Sequence, residues 1–209
     1  FWTSQVQNLM KAKEILAYNF IFPRYLHLAP TAAALLYPET HFDLARVGIG
    51  LYGLWPSIEA KRKLQRAKRK IDLKPVLTWK TRIAQIKTVK KGETIGYDRT
   101  YKAKKDLKIA VLPVGYYDGY DRGLSNQGEV LINGKKAKVL GRVCMNMIMI
   151  NIGESQSANR QKIKVGDEVI LLGGRGKNRI SAEETAEKLN TINYEIIARI
   201  NPLIPRIAV

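Results

Sequence analysis

The stretch Thr94–Arg122, TIGYDRTYKAKKDLKIAVLPVGYYDGYDR, decides the fold of the second half of the chain. Its middle part, Leu107–Val114, is apolar and rich in β-branched residues, which is typical of a buried strand. Five of the chain's 10 tyrosines lie in this stretch, on both sides of the strand. A phenol is a weak acid with a pKa of about 10 that an active site can tune. The tyrosines therefore indicate either a proton-transfer site or the amphipathic aromatic surface that sheets often carry.

Composition places the chain among globular proteins. Its 209 residues, 45% hydrophobic and 26% charged, suffice for one or two domains. Cys144 is the only cysteine, which excludes an intrachain disulfide and predicts a cytoplasmic location. No apolar run approaches the roughly 20 residues that span a bilayer. The chain begins with Phe1 instead of methionine, from which we expect a piece of a longer protein.

The net charge of +18 could attract nucleic acid, an anionic membrane or a phosphorylated ligand. The densest basic run, Lys61–Lys70, contains no aromatic residues on which bases could stack, so it is predicted to be a solvated linker. A basic β module that binds RNA or an anionic surface stays as the non-enzyme alternative, and its binding would be sensitive to salt.

The first part of the chain pairs strands with phosphate-binding backbone. Arg24–Ala29 is a predicted strand, and Thr31 stands where it passes into a predicted helix, whose free N–H groups favour anions. Phe42–Pro56 begins as a strand, reaches Arg46 at the end of that strand and continues into a glycine-rich turn. Two such units in succession are typical of the last strands of a β/α barrel.

From residue 72 onward, short strands alternate with tight turns. Asn133-Gly134 predicts a two-residue hairpin, and Ser181 with Glu184 predicts a capping box that opens a helix. The expected fold class is α/β followed by mainly β. We expect residues 1–58 to form the C-terminal part of a barrel, 59–71 a basic linker, and 72–209 a C-terminal β domain.

Short motifs along the chain carry a resemblance to a known family. They are HLAPTAA at 27–33, RVGIGLYG at 46–53, IGYDRTY at 95–101, GYYDGYDR at 115–122, GRVCMNM at 141–147 and TINYEI at 191–196. On these motifs the chain resembles the C-terminal two-thirds of alanine racemases, which interconvert L- and D-alanine on pyridoxal phosphate and supply D-alanine for peptidoglycan. The resemblance implies a cofactor-bearing TIM-like barrel followed by a β domain.

The resemblance also implies residue roles. Tyr97 matches the tyrosine that exchanges the α-proton on one face of the substrate, and Arg46 matches the arginine that faces the pyridine nitrogen. His27 matches a histidine that holds this arginine. Met145 matches a residue whose backbone lies near the substrate carboxylate, and Tyr116 a tyrosine at the entrance of the site. The residues that match the phosphate cradle are Thr31, Gly48, Ile49 and Tyr194.

By the same resemblance the protein is a homodimer in which the β domain of one subunit completes the site of the other. Tyr97 and Met145 would act across the interface, whereas Arg46, Thr31 and Tyr194 would hold the cofactor in their own subunit. The expected ligand is a small amino acid; nucleic acid, membrane and metal are not expected as partners.

The chain departs from the family pattern in three places. Thr31 stands where serine is usual, which keeps the hydroxyl, and Asn146 stands where aspartate is usual, which removes a charge. No lysine stands in the lysine-alanine-asparagine-alanine-tyrosine-glycine context of the family's cofactor-binding lysine. We therefore expect the 209 residues alone to be inactive and the full-length protein to be an enzyme.

Two related activities stay open. A broad-specificity amino-acid racemase would share the motifs, because the choice between alanine and serine depends on the shape of the pocket. A pyridoxal-phosphate decarboxylase with the same two-domain plan should lack the Gly-Tyr-Asp and Cys-Met elements that stand at 96–98 and 144–145. The other tyrosines of the opening stretch, Tyr101, Tyr117 and Tyr120, are predicted to serve packing.

Overall fold

The computed structural model describes residues 2–67, 71–153, 163–176 and 178–209. The chain divides into two compact units, Phe1–Val76 and Leu77–Val209. In the described residues, no helix is both long and apolar enough to cross a membrane.

The first unit contains two successive strand–helix elements. Its helices and strands are α1 Trp2–Tyr18, β1 His27–Pro30, α2 Thr31–Leu36, β2 Leu44–Arg46 and α3 Ile58–Arg66. Strands β1 and β2 pair in parallel, with Pro30 opposite Arg46. Strand β1 passes directly into α2, and β2 is followed by a 3₁₀ turn at Ile49–Tyr52. The α/β character that the sequence predicted for this part is confirmed.

The segment predicted as a linker is largely helical. Ser57 caps α3, since its Oγ accepts a hydrogen bond of 3.0 Å from the Ala60 N–H. Ala60 and Leu64 are buried, and α3 packs beside α2. Residues 59–66 of the predicted linker thus belong to a helix that buries two apolar side chains on one face. Residues 68–70 of the basic run lie outside the described residues, and the domain limits expected at 58 and 71 stay a prediction.

The second unit is built mainly from short strands. They are β3 Trp79–Arg82, β4 Gln85–Val89, β5 Thr94–Ile95, β6 Tyr101–Lys102, β7 Leu107–Leu112, β8 Glu129–Ile132, β9 Lys135–Lys138, β10 Ile148–Asn151, β11 Glu168–Arg175 and β12 Asn178–Ile180. Two helices follow, α4 Ala182–Lys188 and α5 Asn193–Ala198. One sheet has the order β10-β7-β4, a second has β12-β11-β8-β9 with β3 also on β11, and β5 pairs with β6.

The opening stretch of the sequence supplies the centre of the three-stranded sheet. Strand β7 lies between β10 and β4, antiparallel to both, and buries Leu107, Ile109 and Leu112. Tyr120 is buried against Trp79, with ring centroids 6.2 Å apart, and Tyr101 packs against the core beside β7. Tyr117 is 58% exposed, so the prediction that it serves packing is wrong.

In the second unit the predicted hairpin is confirmed, and of the predicted capping box the structure shows the Ser181 half. Asn133 and Gly134 both have positive φ, at 50° and 72°, as the hairpin between β8 and β9 requires. Ser181 Oγ accepts a hydrogen bond of 3.1 Å from the Glu184 N–H and caps α4. The Glu184 carboxylate contacts Lys136, so this side chain joins α4 to the β8–β9 hairpin.

Candidate active site

The residues predicted to form the site fall into both units. His27, Thr31, Arg46, Gly48 and Ile49 lie in the first unit, at or just after strands β1 and β2. The second unit contains Tyr97, Tyr116, Met145 and Tyr194.

In the first unit, a hydrogen bond joins two residues of the predicted phosphate cradle. The Gly48 N–H donates to Thr31 Oγ1 over 3.1 Å, although the two residues lie 17 positions apart. A Cβ at Gly50 would lie 2.9 Å from Thr31 Cγ2, so this glycine is needed for close packing. A Cβ at Gly48 would have no atom within 4 Å, which leaves its backbone open to an approaching group. Both strands end on this side because they are parallel.

Arg46 stands at the end of β2 and is anchored by the neighbouring strand. Its guanidinium donates a hydrogen bond of 3.1 Å to the carbonyl oxygen of Leu28 in β1. That bond uses one of five N–H donors of the side chain. His27 lies at the start of β1, opposite Leu44. In the described part of the chain, the partner of Arg46 is thus a backbone carbonyl, and the expected role of His27 stays a prediction.

In the second unit, Tyr97 lies on a turn with unusual backbone geometry. Gly96, Asp98 and Arg99 have positive φ, at 78°, 58° and 51°. Non-glycine residues in the left-handed region are destabilised by roughly 1–2 kcal/mol each, so neighbouring contacts must hold this conformation. The Tyr97 side chain is 71% exposed. The turn therefore presents the phenol outward instead of packing it.

An open cavity of about 690 Å³ lies beside this turn. Residues that line it include Tyr97, Asp98, Tyr116, Arg122, Arg142 and Met145. Three residues with predicted roles thus meet here, although 48 positions separate the first from the last (97 to 145). Tyr194 is not among the lining residues. The charged groups of the lining are one carboxylate and two guanidiniums, which makes the cavity net positive.

Backbone hydrogen bonds join the two segments that carry Tyr116 and Met145. The Tyr116 N–H donates to the Cys144 carbonyl and the Tyr117 N–H to the Met145 carbonyl, each over 3.1 Å. A Cβ at Gly115 would lie 2.1 Å from the Cys144 oxygen, so only glycine permits this approach. The turn that carries Tyr116 is thereby fixed against the Cys144–Met145 backbone.

Burial raises the pKa of two groups in the second unit. It raises the pKa of the Cys144 thiol, whose Sγ contacts the Arg142 carbonyl, so the thiol stays protonated and packs as a small apolar group. Burial also raises the pKa of Tyr194 near the start of α5, which keeps its phenol as an O–H donor. In the described residues, no cluster of three or more histidine, cysteine or acidic side chains could hold a metal ion.

Arg142 and Arg122 were not assigned a role from the sequence, although both stand in the quoted motifs. Arg142 Nε lies 3.3 Å and Arg122 Nη2 3.9 Å from Asp98 Oδ2. Asp98 and Arg142 are 44 positions apart, so no local pattern indicates that they meet. The only available indication was the presence of each residue in a motif beside Tyr97, Tyr116 or Met145.

Comparison with known protein families matches both units. Residues 76–208 match the model of the alanine racemase C-terminal domain, and residues 1–56 match that of the N-terminal domain. The alanine racemase of Leptospira interrogans (strain Fiocruz L1-130) is 42% identical over 184 residues, which cover 88% of this chain and 46% of that protein. The chain thus spans about half the length of the curated relatives it matches.

Solved structures give the same result. The alanine racemase of Bacillus anthracis with bound L-Ala-P superposes with a TM-score of 0.82 at 36% identity, covering 96% of this chain and 48% of that one. The alanine racemase of Bartonella henselae with covalently bound pyridoxal phosphate gives 0.75 at 27% identity, covering 99% and 52%. The predicted fold class, the end of a TIM-like barrel followed by a β domain, is confirmed by these similarities.

Proposed function

The chain belongs to the alanine racemase family, and from that premise we propose that the full-length protein interconverts L- and D-alanine with pyridoxal phosphate as its cofactor. The observation that carries the proposal is the cavity of the second unit, where Tyr97, Tyr116 and Met145 meet. The reaction supplies D-alanine, the building block of peptidoglycan. The single, buried Cys144 thiol supports a reducing compartment, and we assign the protein to the cytoplasm.

The residues of the first unit suit a phosphorylated cofactor. The Thr31 hydroxyl and the Gly48 N–H are already neighbours, and the open side of Gly48 leaves room for a phosphate oxygen. Ile49 begins the following 3₁₀ turn, whose first N–H groups favour an anion. On the family resemblance we also propose Tyr194 of the second unit as a phosphate ligand; burial raises its pKa, so its phenol stays an O–H donor.

Arg46 would act on the electronic character of the cofactor. When bound, pyridoxal phosphate supplies the electron sink that makes the α-proton of the amino acid acidic. A guanidinium is charged at every relevant pH, so Arg46 beside the pyridine nitrogen would disfavour protonation of that nitrogen. This weakens the sink and favours return of the proton to the α-carbon over transamination. His27 is proposed to help hold this side chain.

Tyr97 would move the α-proton on one face of the substrate through its Oη atom. A phenol can serve as acid and base when a cationic neighbourhood stabilises its anion, and two arginines line the same cavity. The opposite face needs a second acid–base group, to which no residue of these 209 is assigned. The Met145 backbone would lie near the substrate carboxylate, and Tyr116 at the entrance.

Exposure of Tyr97 supports a shared site in a homodimer. A proton-transfer group works best where water is excluded, yet this side chain is largely exposed beside an open cavity. A second copy of the protein would cover it and bring its own cofactor-binding residues, Arg46, Thr31 and Tyr194. We therefore propose that Tyr97 and Met145 act across the interface.

The test is substitution of Tyr97 by phenylalanine in the full-length protein. We expect Tyr97→Phe to nearly abolish racemisation, because one acid–base group is lost, while the absorbance of bound pyridoxal phosphate is kept. The substrate panel should contain serine and larger amino acids, so that a broad-specificity racemase is recognised. Near wild-type turnover in both directions would exclude Tyr97 as the proton-transfer group.

Two further measurements test the shared site and the activity of the 209-residue chain. Mixing Tyr97→Phe with Arg46→Ala subunits should restore activity above that of either variant, because a mixed dimer contains one intact shared site. If no activity returns, the sites are not shared between subunits. The 209-residue chain with added pyridoxal phosphate should be inactive, and measurable racemisation by it would overturn that part of the proposal.

A further inference from the structure

The turn that carries Tyr97 is held on both sides by one other residue. On the N-terminal side, a Cβ at Gly96 would lie 2.9 Å from the Arg142 nitrogen, so the two backbones are in contact. On the C-terminal side, Arg142 Nε donates to Asp98 Oδ2 over 3.3 Å. Arg142 thus contacts the residue before Tyr97 with its backbone and the residue after Tyr97 with its side chain.

A second guanidinium approaches the same carboxylate oxygen. Arg122 Nη2 lies 3.9 Å from Asp98 Oδ2, and all three charged groups line the cavity beside Tyr97. The Asp98 side chain is 60% exposed, so ion pairs of this kind contribute little to global stability. Their effect must therefore be local, on the conformation of the turn.

The backbone conformation of this turn is unfavourable for the Asp98 residue itself. Its φ of 58° suits glycine or asparagine better than aspartate, and Arg99 at 51° adds to the strain. A separate contact holds the next residue, since Asn126 donates to Thr100 Oγ1 over 3.1 Å. Loss of the Asp98 carboxylate removes the contacts with Arg142 and Arg122, so the turn at Tyr97 should loosen while the Asn126 contact keeps the rest of the segment in place.

We propose that Asp98 is a positioning residue for Tyr97. Its carboxylate, held by Arg142 and Arg122, fixes the strained turn and so sets the direction of the phenol in the cavity. This inference rests on the proposed role of Tyr97 in proton transfer. A proton-transfer group must stand within hydrogen-bond reach of the proton it moves, and displacement by about 1 Å can lower a rate by roughly 100-fold.

Two variants of the full-length protein separate positioning from stability. Asp98→Asn keeps the shape and suits positive φ but removes the charge, and Asp98→Gly also removes the backbone strain. The matched control is Asp106→Asn, because Asp106 is an aspartate of similar exposure that pairs with Lys90 over 2.8 Å at another surface of the same unit. For each variant, kcat, KM, Tm and hydrogen–deuterium exchange of residues 94–102 are measured.

We expect both Asp98 variants to lower kcat by about 10- to 100-fold with KM changed less than about twofold, because the phenol is misdirected. Their Tm should stay equal to or above that of Asp106→Asn, and exchange in residues 94–102 should be faster. Asp106→Asn should change neither kcat nor this exchange.

Two results would overturn the inference: a kcat of Asp98→Asn equal to that of the control, or exchange in residues 94–102 unchanged by either Asp98 variant. If the unsubstituted full-length protein does not racemise alanine, the proposed function fails. The exchange measurement, which needs no activity, still decides whether Asp98 holds the turn.

Discussion

The two units differ in how far the apolar side chains of their strands are buried. In the first unit, all three residues of β2 are exposed, Leu44 at 44%, and α1 has no buried residue. In the second unit, β7 lies between two strands and Leu112 is fully buried. Exposed parallel strands are unusual, because both faces of a parallel sheet are normally covered.

This difference in burial indicates that the first unit lacks contacts of the kind that close the core of the second. The second unit closes its own core around β7, whereas β2 presents Leu44 at the surface of its unit. In β1, Ala29 is buried and only His27 is exposed. The curated relatives are about twice as long as this chain, which covers 46% of one of them. We infer that the second unit closes its core with its own residues, whereas strand β2 of the first unit lacks contacts that the unit itself does not supply.

The largest expected effect comes from separating the units. Residues 77–209 produced alone should unfold in one cooperative transition, because their core is internal. Residues 1–76 alone should show no cooperative transition in circular dichroism on heating. A sharp transition of similar midpoint in the shorter piece would contradict the comparison.

A pair of leucine substitutions makes the comparison quantitative. Leu112→Ala in the 209-residue chain should lower the free energy of unfolding by about 2–5 kcal/mol, because it empties a fully buried site. Leu44→Ala, the matched change on an exposed strand, should alter it by no more than about 0.5 kcal/mol. Urea denaturation measures both. Equal losses would mean that the strands of the two units are packed alike.

The smallest expected effect is the pH dependence of the stability that an ion-pair network contributes to the second unit. Lys188 Nζ lies 2.8 Å and Lys136 Nζ 3.3 Å from Glu129 Oε2. Burial tends to raise the pKa of Glu129, but the hydrogen bonds and charges of these two lysines outweigh it and leave the pKa below the usual glutamate value. The unfolded chain therefore binds a proton at Glu129 more readily than the folded chain does.

The stabilisation by Glu129 is accordingly present above the unfolded glutamate pKa and is lost as the pH falls through the lower folded pKa. Glu129→Gln should remove about 1 kcal/mol or less near neutral pH and flatten the acid side of the stability profile. Glu168→Gln is the control, because its partner Lys80 lies 3.0 Å away in a more exposed pair. If Glu129→Gln leaves the acid side of the stability profile unchanged, the ion-pair network is not the source of that pH dependence.

Sequence patterns predicted the elements that depend on neighbouring residues. The strand at Leu107–Leu112, the Asn133-Gly134 hairpin and the Ser181 cap follow from apolar runs, turn chemistry and capping within a few positions. Helix α3 was missed because its charges dominate the composition, and only the packing beside α2 reveals the apolar face of Leu64.

The candidate site likewise combines features that the sequence predicts with features that only the tertiary structure shows. The family, and with it the proposed roles of Tyr97, Arg46 and Thr31, could be inferred from short motifs because each motif is a local run of residues. That Asp98 meets Arg142, that Gly48 meets Thr31, and that Tyr117 points outward could not. The two contacts join residues 17 and 44 positions apart, and they exist only because strand pairing and close glycine backbones bring distant segments together.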